Sequence, residues 1–187
     1  MSNEYFRNID YKLLDKKTAY KGKRIVVEEL NYYNPRQNEK IYREHVLAGD
    51  AAIIMPITEN NELIMIEEPR TPIGKFLLTF PAGMIEPGET PEEGAVRELE
   101  EETGYRANYI KKMRNVYPAV GYSNERTIIF LAKDLVKTHR HLDETEDISV
   151  VKIPLEEVKR MLDKNEIITA SETVALLHYF AYEQNSK

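Results

Sequence analysis

A single stretch, residues 83–105, restricts this chain more than any other. It reads Gly-Met-Ile-Glu-Pro-Gly-Glu-Thr-Pro-Glu-Glu-Gly-Ala-Val-Arg-Glu-Leu-Glu-Glu-Glu-Thr-Gly-Tyr. Thr90-Pro91-Glu92-Glu93 is a strong helix start: a Thr N-cap, a Pro at the first helical position, and a Glu three residues after the cap that can close a capping box. Gly104 supplies the stop, because glycine takes positive φ without a Cβ clash. Between these ends, Ala95, Val96 and Leu99 form an apolar stripe. Glu98, Glu101 and Glu102 stand at i, i+3 and i+4 on the other face, a spacing that predicts converging side chains. Like charges so placed destabilise an isolated helix by about 0.2–0.5 kcal/mol per pair. The C-terminal half of a helix adds to this, because its dipole disfavours anions. A cation among the three carboxylates reverses both penalties, and hard oxygen ligands suit Mg²⁺ or Mn²⁺ rather than zinc.

The stretch resembles the signature of the Nudix hydrolase family. That signature is a glycine, five residues, a glutamate, seven residues, Arg-Glu, an apolar residue, any residue, Glu-Glu, any residue, glycine and an apolar residue. The matching positions here are Gly83, Glu89, Arg97-Glu98-Leu99, Glu101-Glu102, Gly104 and Tyr105. Every fixed position agrees, and Tyr105 occupies an aliphatic slot in which aromatic residues are tolerated. Specified positions at fixed spacing over more than twenty residues are far more specific than a lone glycine-rich motif.

Composition narrows the chemistry. The chain has 187 residues, enough for one domain with a sizeable core. A net charge of −6 argues against generic binding to nucleic acid or to anionic membranes. It also favours a cation-assisted route to any anionic substrate. With no cysteine, disulfides, thiol nucleophiles and zinc–thiolate sites are excluded. The N-terminus is polar, and no apolar run approaches the roughly 18 residues a membrane helix needs. The expected location is therefore the cytoplasm, with no nucleic-acid or membrane partner.

Residues 1–48 read as an N-terminal strand segment. Arg24–Leu30 is β-branched, residues 32–38 break it with turn chemistry, and Ile41–Leu47 alternates as a returning strand would. A hairpin with one apolar face is marginal alone and must pack on the chain or on a partner. Residues 49–187 form the main domain. Ala51–Ile57 is a short apolar strand, Thr58–Asn61 a hairpin turn, and Glu62–Glu68 the return strand. After the signature helix come strands over 108–117, 127–131 and 149–153, a helix from Pro154, and a C-terminal helix opened by Ser171. The order predicts an α+β fold. By resemblance this is the Nudix α/β/α sandwich around a mixed sheet, preceded by an antiparallel strand segment. The resemblance also implies a homodimer formed through the N-terminal strands.

The resemblance further implies hydrolysis of a nucleoside diphosphate linked to another moiety. Glu98 and Glu102 become the main metal carboxylates, with Glu101 as a further ligand or a catalytic, water-holding group. The Ala82 carbonyl becomes a backbone ligand, and Gly83 lets the loop come close. Arg97 and Glu89 form an ion pair tying the loop to the helix. In the acidic run Asp143–Asp147, Glu146 or Glu144 is the candidate catalytic general base or further metal ligand. Arg70 matches the arginine of a substrate loop, and Gly121 and Glu125 match a second one. Pro69 stands where an aromatic residue is usual, Thr79 where a glutamate often precedes Pro-Ala-Gly, and Pro118 two residues early. The leading expectation is Mg²⁺- or Mn²⁺-dependent cleavage of ADP-ribose to AMP and ribose 5-phosphate. Alternatives are another nucleoside diphosphate sugar such as GDP-mannose, or a non-catalytic ADP-ribose sensor. The sensor reading is disfavoured by the three intact glutamates.

Overall fold

A computed structural model describes residues 8–142, 144 and 146–184. The chain forms two compact units, one of residues 1–48 with 119–125, the other of residues 49–118 with 126–187.

In the first unit, strands β1 (Lys12–Lys21), β2 (Val26–Asn34) and β3 (Glu39–Leu47) form an antiparallel sheet in that order. Strands β2 and β3 match the predicted hairpin, whereas β1 is an addition to it. All ten β1 residues are exposed, and its register with β2 shifts twice, between Leu13 and Asp15 and between Thr18 and Tyr20. Bulges break the period-2 pattern by which a strand is recognised. Lys16 and Lys17 pair with Glu28 and Glu29 across the ladder, at 2.9 and 3.7 Å. The 119–125 segment joins this unit through Val46 N–H donating to the Tyr122 carbonyl (2.7 Å) and Ala48 N–H donating to Asn124 Oδ1 (2.9 Å).

The second unit holds two sheets. Strands β4 (Asp50–Pro56), β7 (Ala82–Met84), β8 (Tyr105–Val116) and β9 (Arg126–Lys137) form a mixed sheet ordered β7-β4-β9-β8, with β4 and β9 parallel. Strands β5 (Glu62–Arg70), β6 (Lys75–Thr79) and β10 (Ser149–Pro154) form an antiparallel sheet ordered β10-β5-β6. The helices are α1 (Pro91–Thr103), α2 (Leu155–Asp163) and α3 (Ala170–His178), and a π-turn follows α3 at Tyr179–Glu183. Helix α3 begins one residue before Ser171, with Thr169 as its N-cap residue.

Strands β4 and β9 are buried on both faces and set the layers. Ala52, Ile54, Ile128, Phe130 and Ala132 meet Ala95 and Leu99 of α1. Alternate residues Met55, Ile129 and Leu131 face Leu155 and Val158 of α2 and Ala175 and Leu176 of α3. The unit is thus a helix–sheet–helix α+β fold. The predicted hairpin of β4 and β5 does not continue past its turn. Thr58 N–H donates to the Glu62 carbonyl (2.9 Å) and a single bridge links Ile57 with Leu63. Beyond that bridge the two strands enter different sheets. Both runs are continuously apolar, and each finds a central place between two partners rather than an edge beside the other.

Candidate active site

Helix α1 begins and ends as its local sequence dictates. Thr90 Oγ1 accepts from Glu93 N–H (3.2 Å) and Thr90 N–H donates to Glu93 Oε2 (2.8 Å), a complete capping box. Gly104 sits at φ +71° and its N–H donates to the Glu100 carbonyl (2.8 Å). With Ala95 and Leu99 fixed on the sheet, Arg97, Glu98 and Glu101 are carried along the flank of the helix.

Arg97 binds the loop and the helix together. Its Nε donates to Glu89 Oε1 (2.7 Å), and its Nη2 to Glu89 Oε2 (3.0 Å) and the Met84 carbonyl (3.0 Å). Its Nη1 donates to Glu98 Oε1 (2.8 Å) and Glu101 Oε2 (2.9 Å). Glu89 Oε2 also accepts from Glu86 N–H (3.0 Å), closing the loop before the helix. The Arg97 fork and that amide hold the Glu89 carboxyl down at about 2, well below the ordinary glutamate range.

Glu102 is turned inward instead. It is only 5% exposed, and its Oε2 accepts from Ala82 N–H (2.8 Å) on β7. Glu98 and Glu101 therefore share Arg97, while Glu102 grips the strand entering Gly83. Among the described residues no three acidic or histidine side chains stand at metal-holding spacing: Arg97 holds Glu98 and Glu101, and the Ala82 amide holds Glu102. The donor chemistry nevertheless fits a hard cation. Burial first, and then the charges of Glu98, Glu68 and Glu146, push the Glu102 carboxyl up to about 8. Burial also raises Glu98, opposed by Arg97 and reinforced by Glu101 and Glu146. Carboxyls kept together against desolvation are what a divalent ion offsets.

The need for glycine at 83 is steric. A Cβ there would fall inside the Glu98 carboxyl, overlapping Cδ and both oxygens. The Glu98 head group thus occupies the space that the missing side chain leaves beside β7.

The other predicted residues are placed as follows. Glu144 and Glu146 are both exposed, and the charge of Glu146 adds to the upward push on both Glu98 and Glu102. Asp143 and Thr145 of the same run lie outside the described residues. Arg70 closes β5, with Nη2 2.5 Å from Glu68 Oε1. Gly121 and Glu125 lie in the 119–125 segment of the first unit. Gly121 has open space about it, and Glu125 N–H donates to Ser123 Oγ (3.1 Å).

Sequence reasoning missed Glu68 as a participant. Its Oε1 accepts from Thr79 Oγ1 (2.9 Å) on the adjacent strand as well as pairing with Arg70. A signal for it existed: Glu68 and Arg70 are two apart on one strand and share a face.

A family profile described as the NUDIX domain matches residues 47–175. The chain belongs to the NUDIX family. Among curated relatives of this NUDIX chain, the ADP-ribose pyrophosphatase of Bacillus subtilis (strain 168) is 32% identical over 174 residues, spanning 91% of this chain and 92% of the relative. The methanol dehydrogenase activator of Bacillus methanolicus is 33% identical over 147 residues, 78% of this chain and 79% of its own. A solved structure described as an ADP compounds hydrolase superposes with a TM-score of 0.85 at 25% identity, covering 96% of this chain and 97% of that one.

Proposed function

We propose that this NUDIX protein hydrolyses the diphosphate linkage of a nucleoside diphosphate sugar, with ADP-ribose the leading substrate and AMP and ribose 5-phosphate the products. The observation that carries the reading is the packing of the Glu98 carboxyl into the Cβ space of Gly83, next to a strand whose amide is held by buried Glu102. The relatives support the substrate class by their names, two of which act on ADP-ribose or ADP compounds.

NUDIX hydrolases generally use divalent metals, and here Glu98, Glu101, Glu102 and the Ala82 carbonyl would hold the ion, Mg²⁺ or Mn²⁺. When bound, it supplies neutralisation of the diphosphate oxygens and acidification of a water. The protein's own groups do the rest. Glu89 and Arg97 keep the loop and the carboxyls in register. Glu146 takes the proton of the attacking water on its carboxylate, with Glu144 as the alternate. Arg70, steadied by Glu68, meets a phosphate through its remaining N–H groups. Gly121 and Glu125 belong to the substrate side. The same reading has residues 1–48 pairing two subunits into a homodimer and the protein working in the cytoplasm. Among the described residues no helix is long and apolar enough to cross a membrane.

The test is a substrate panel of ADP-ribose, diadenosine phosphates, NADH, GDP-mannose and deoxynucleoside triphosphates, each with Mg²⁺ and with Mn²⁺. Released phosphate after phosphatase treatment is the signal. Turnover highest on ADP-ribose is expected, and none on any compound would move the reading to a sensor. Glu146→Gln is expected to lower kcat at least about tenfold with little change in Tm. Full activity in both the Glu146→Gln and Glu144→Gln proteins would remove that assignment. Light scattering that finds only monomer at micromolar concentration would count against the dimer.

A further inference from the structure

We infer that Glu172, on α3, is a positioning residue for the metal-side strand, holding the main chain of Phe80-Pro81-Ala82 from the layer opposite Glu102. The inference rests on the reading of Ala82 and the α1 carboxyls as the metal site. Phe80 N–H donates to Glu172 Oε1 (3.4 Å), across 92 residues of sequence. Pro81 has no N–H, and its carbonyl accepts from Ile54 N–H (2.9 Å) on β4. Ala82 N–H donates to Glu102 Oε2 (2.8 Å) from α1. Helices α1 and α3 pack on opposite faces of the mixed sheet, so the tripeptide is clasped by a carboxyl from each layer.

The environment of Glu172 fits this task. The residue is only 4% exposed, an unusual burial for glutamate, and burial of such a group is tolerated when it is hydrogen-bonded. It is the third residue of α3, where the helix N-terminus favours a carboxylate. One turn further on, Ala175 and Leu176 share a buried cluster with Phe80 and lock α3 against it. A side chain without an acceptor at 172 would leave the Phe80 N–H buried without that partner. With Phe80 released, the Ile54 and Glu102 contacts alone would hold the main chain that leads into Gly83. The Glu98 carboxyl packs beside Gly83, so a shift of this strand is felt by a second carboxyl of the site. Displacements of about 1 Å at a ligand set are enough to weaken it.

The test compares wild type, Glu172→Ala, which removes the acceptor, and Glu172→Gln, whose amide oxygen keeps it. Amide exchange at Phe80, Mn²⁺ binding by calorimetry and the Mg²⁺ midpoint of ADP-ribose hydrolysis are read together. Glu172→Ala is expected to speed Phe80 exchange and weaken Mn²⁺ binding by about tenfold or more, with kcat largely recovered at saturating metal. Glu172→Gln is expected to restore exchange and metal binding to near wild type. Unchanged exchange and metal affinity in Glu172→Ala would overturn the inference, and so would a Glu172→Gln protein as impaired as Glu172→Ala. If Glu172→Ala does not fold, Glu172→Asp takes its place, one methylene too short to reach and expected to behave the same way. Wild type that binds Mn²⁺ but turns over no substrate would sink the functional reading alone, with exchange and calorimetry still deciding the role of Glu172.

Discussion

Gly83→Ala separates two things that Gly83 could be doing. The added Cβ overlaps the Glu98 carboxyl. Restoring an ordinary contact of about 3.5 Å forces that head group to retreat by more than about 1 Å, which its flexible stem permits. The retreat takes Glu98 away from Arg97 Nη1, now at 2.8 Å. A charge-assisted hydrogen bond of this kind, partly open to water, contributes about 1–2 kcal/mol. For a chain of this size that is a Tm lower by about 2–8 °C, so the protein still folds. On the proposed metal site the loss is larger, because a displaced Glu98 carboxyl could not share an ion with Glu102 and the Ala82 carbonyl. Mn²⁺ affinity by calorimetry should fall by about 100-fold or more. Gly88→Ala is the control. Gly88 sits at φ +96° with open space around it, so alanine strains the backbone there but touches nothing. It should lose about 1 kcal/mol of stability and keep its metal affinity. If Gly83→Ala binds Mn²⁺ within about threefold of wild type, or the two variants lose affinity alike, the steric account of Gly83 is wrong.

Three further outcomes follow from the same geometry. In chelator, the Glu102 carboxyl has a folded pKa of about 8 against an ordinary 4.5, so its contribution is full below 4.5 and is lost as pH rises towards 8. Metal-free wild type should therefore lose about 1 kcal/mol per pH unit relative to Glu102→Gln across that window, and parallel urea-denaturation curves at each pH would refute it. Arg97→Lys keeps the charge but cannot reach Glu89, Met84, Glu98 and Glu101 at once. It should lower Tm by several degrees and weaken metal binding, and a Lys variant with wild-type values of both would deny the fork its role. Thr90→Ala removes one half of the capping box and should lower stability by about 1 kcal/mol without altering the metal midpoint of activity. Differential scanning calorimetry and a metal titration check the pair of effects.

The signature helix was legible from sequence because everything that makes it is local. A cap, a first-turn proline, an apolar stripe and a glycine stop lie within fifteen residues, and they yield the α1 bounds and the αL end at Gly104. Strands with clean alternation or unbroken apolar runs were legible for the same reason. Strand β1 was not, since its bulges and its exposed, charged surface erase the pattern. Nor was the parting of β4 from β5, which depends on a parallel partner over seventy residues away in β9. The spacing of the glutamates by itself determined that three carboxyls share one helix. Tertiary packing alone decided that they are not equivalent: α1 docks so that Glu102 is driven inward onto Ala82 while Arg97 keeps Glu98 and Glu101 at the rim. Periodicity places a side chain on a face, but desolvation and hydrogen-bond partners come from whatever chain packs there. Glu172 is the plainest instance, an ordinary glutamate in its own helix that becomes an anchor only when α3 meets Phe80.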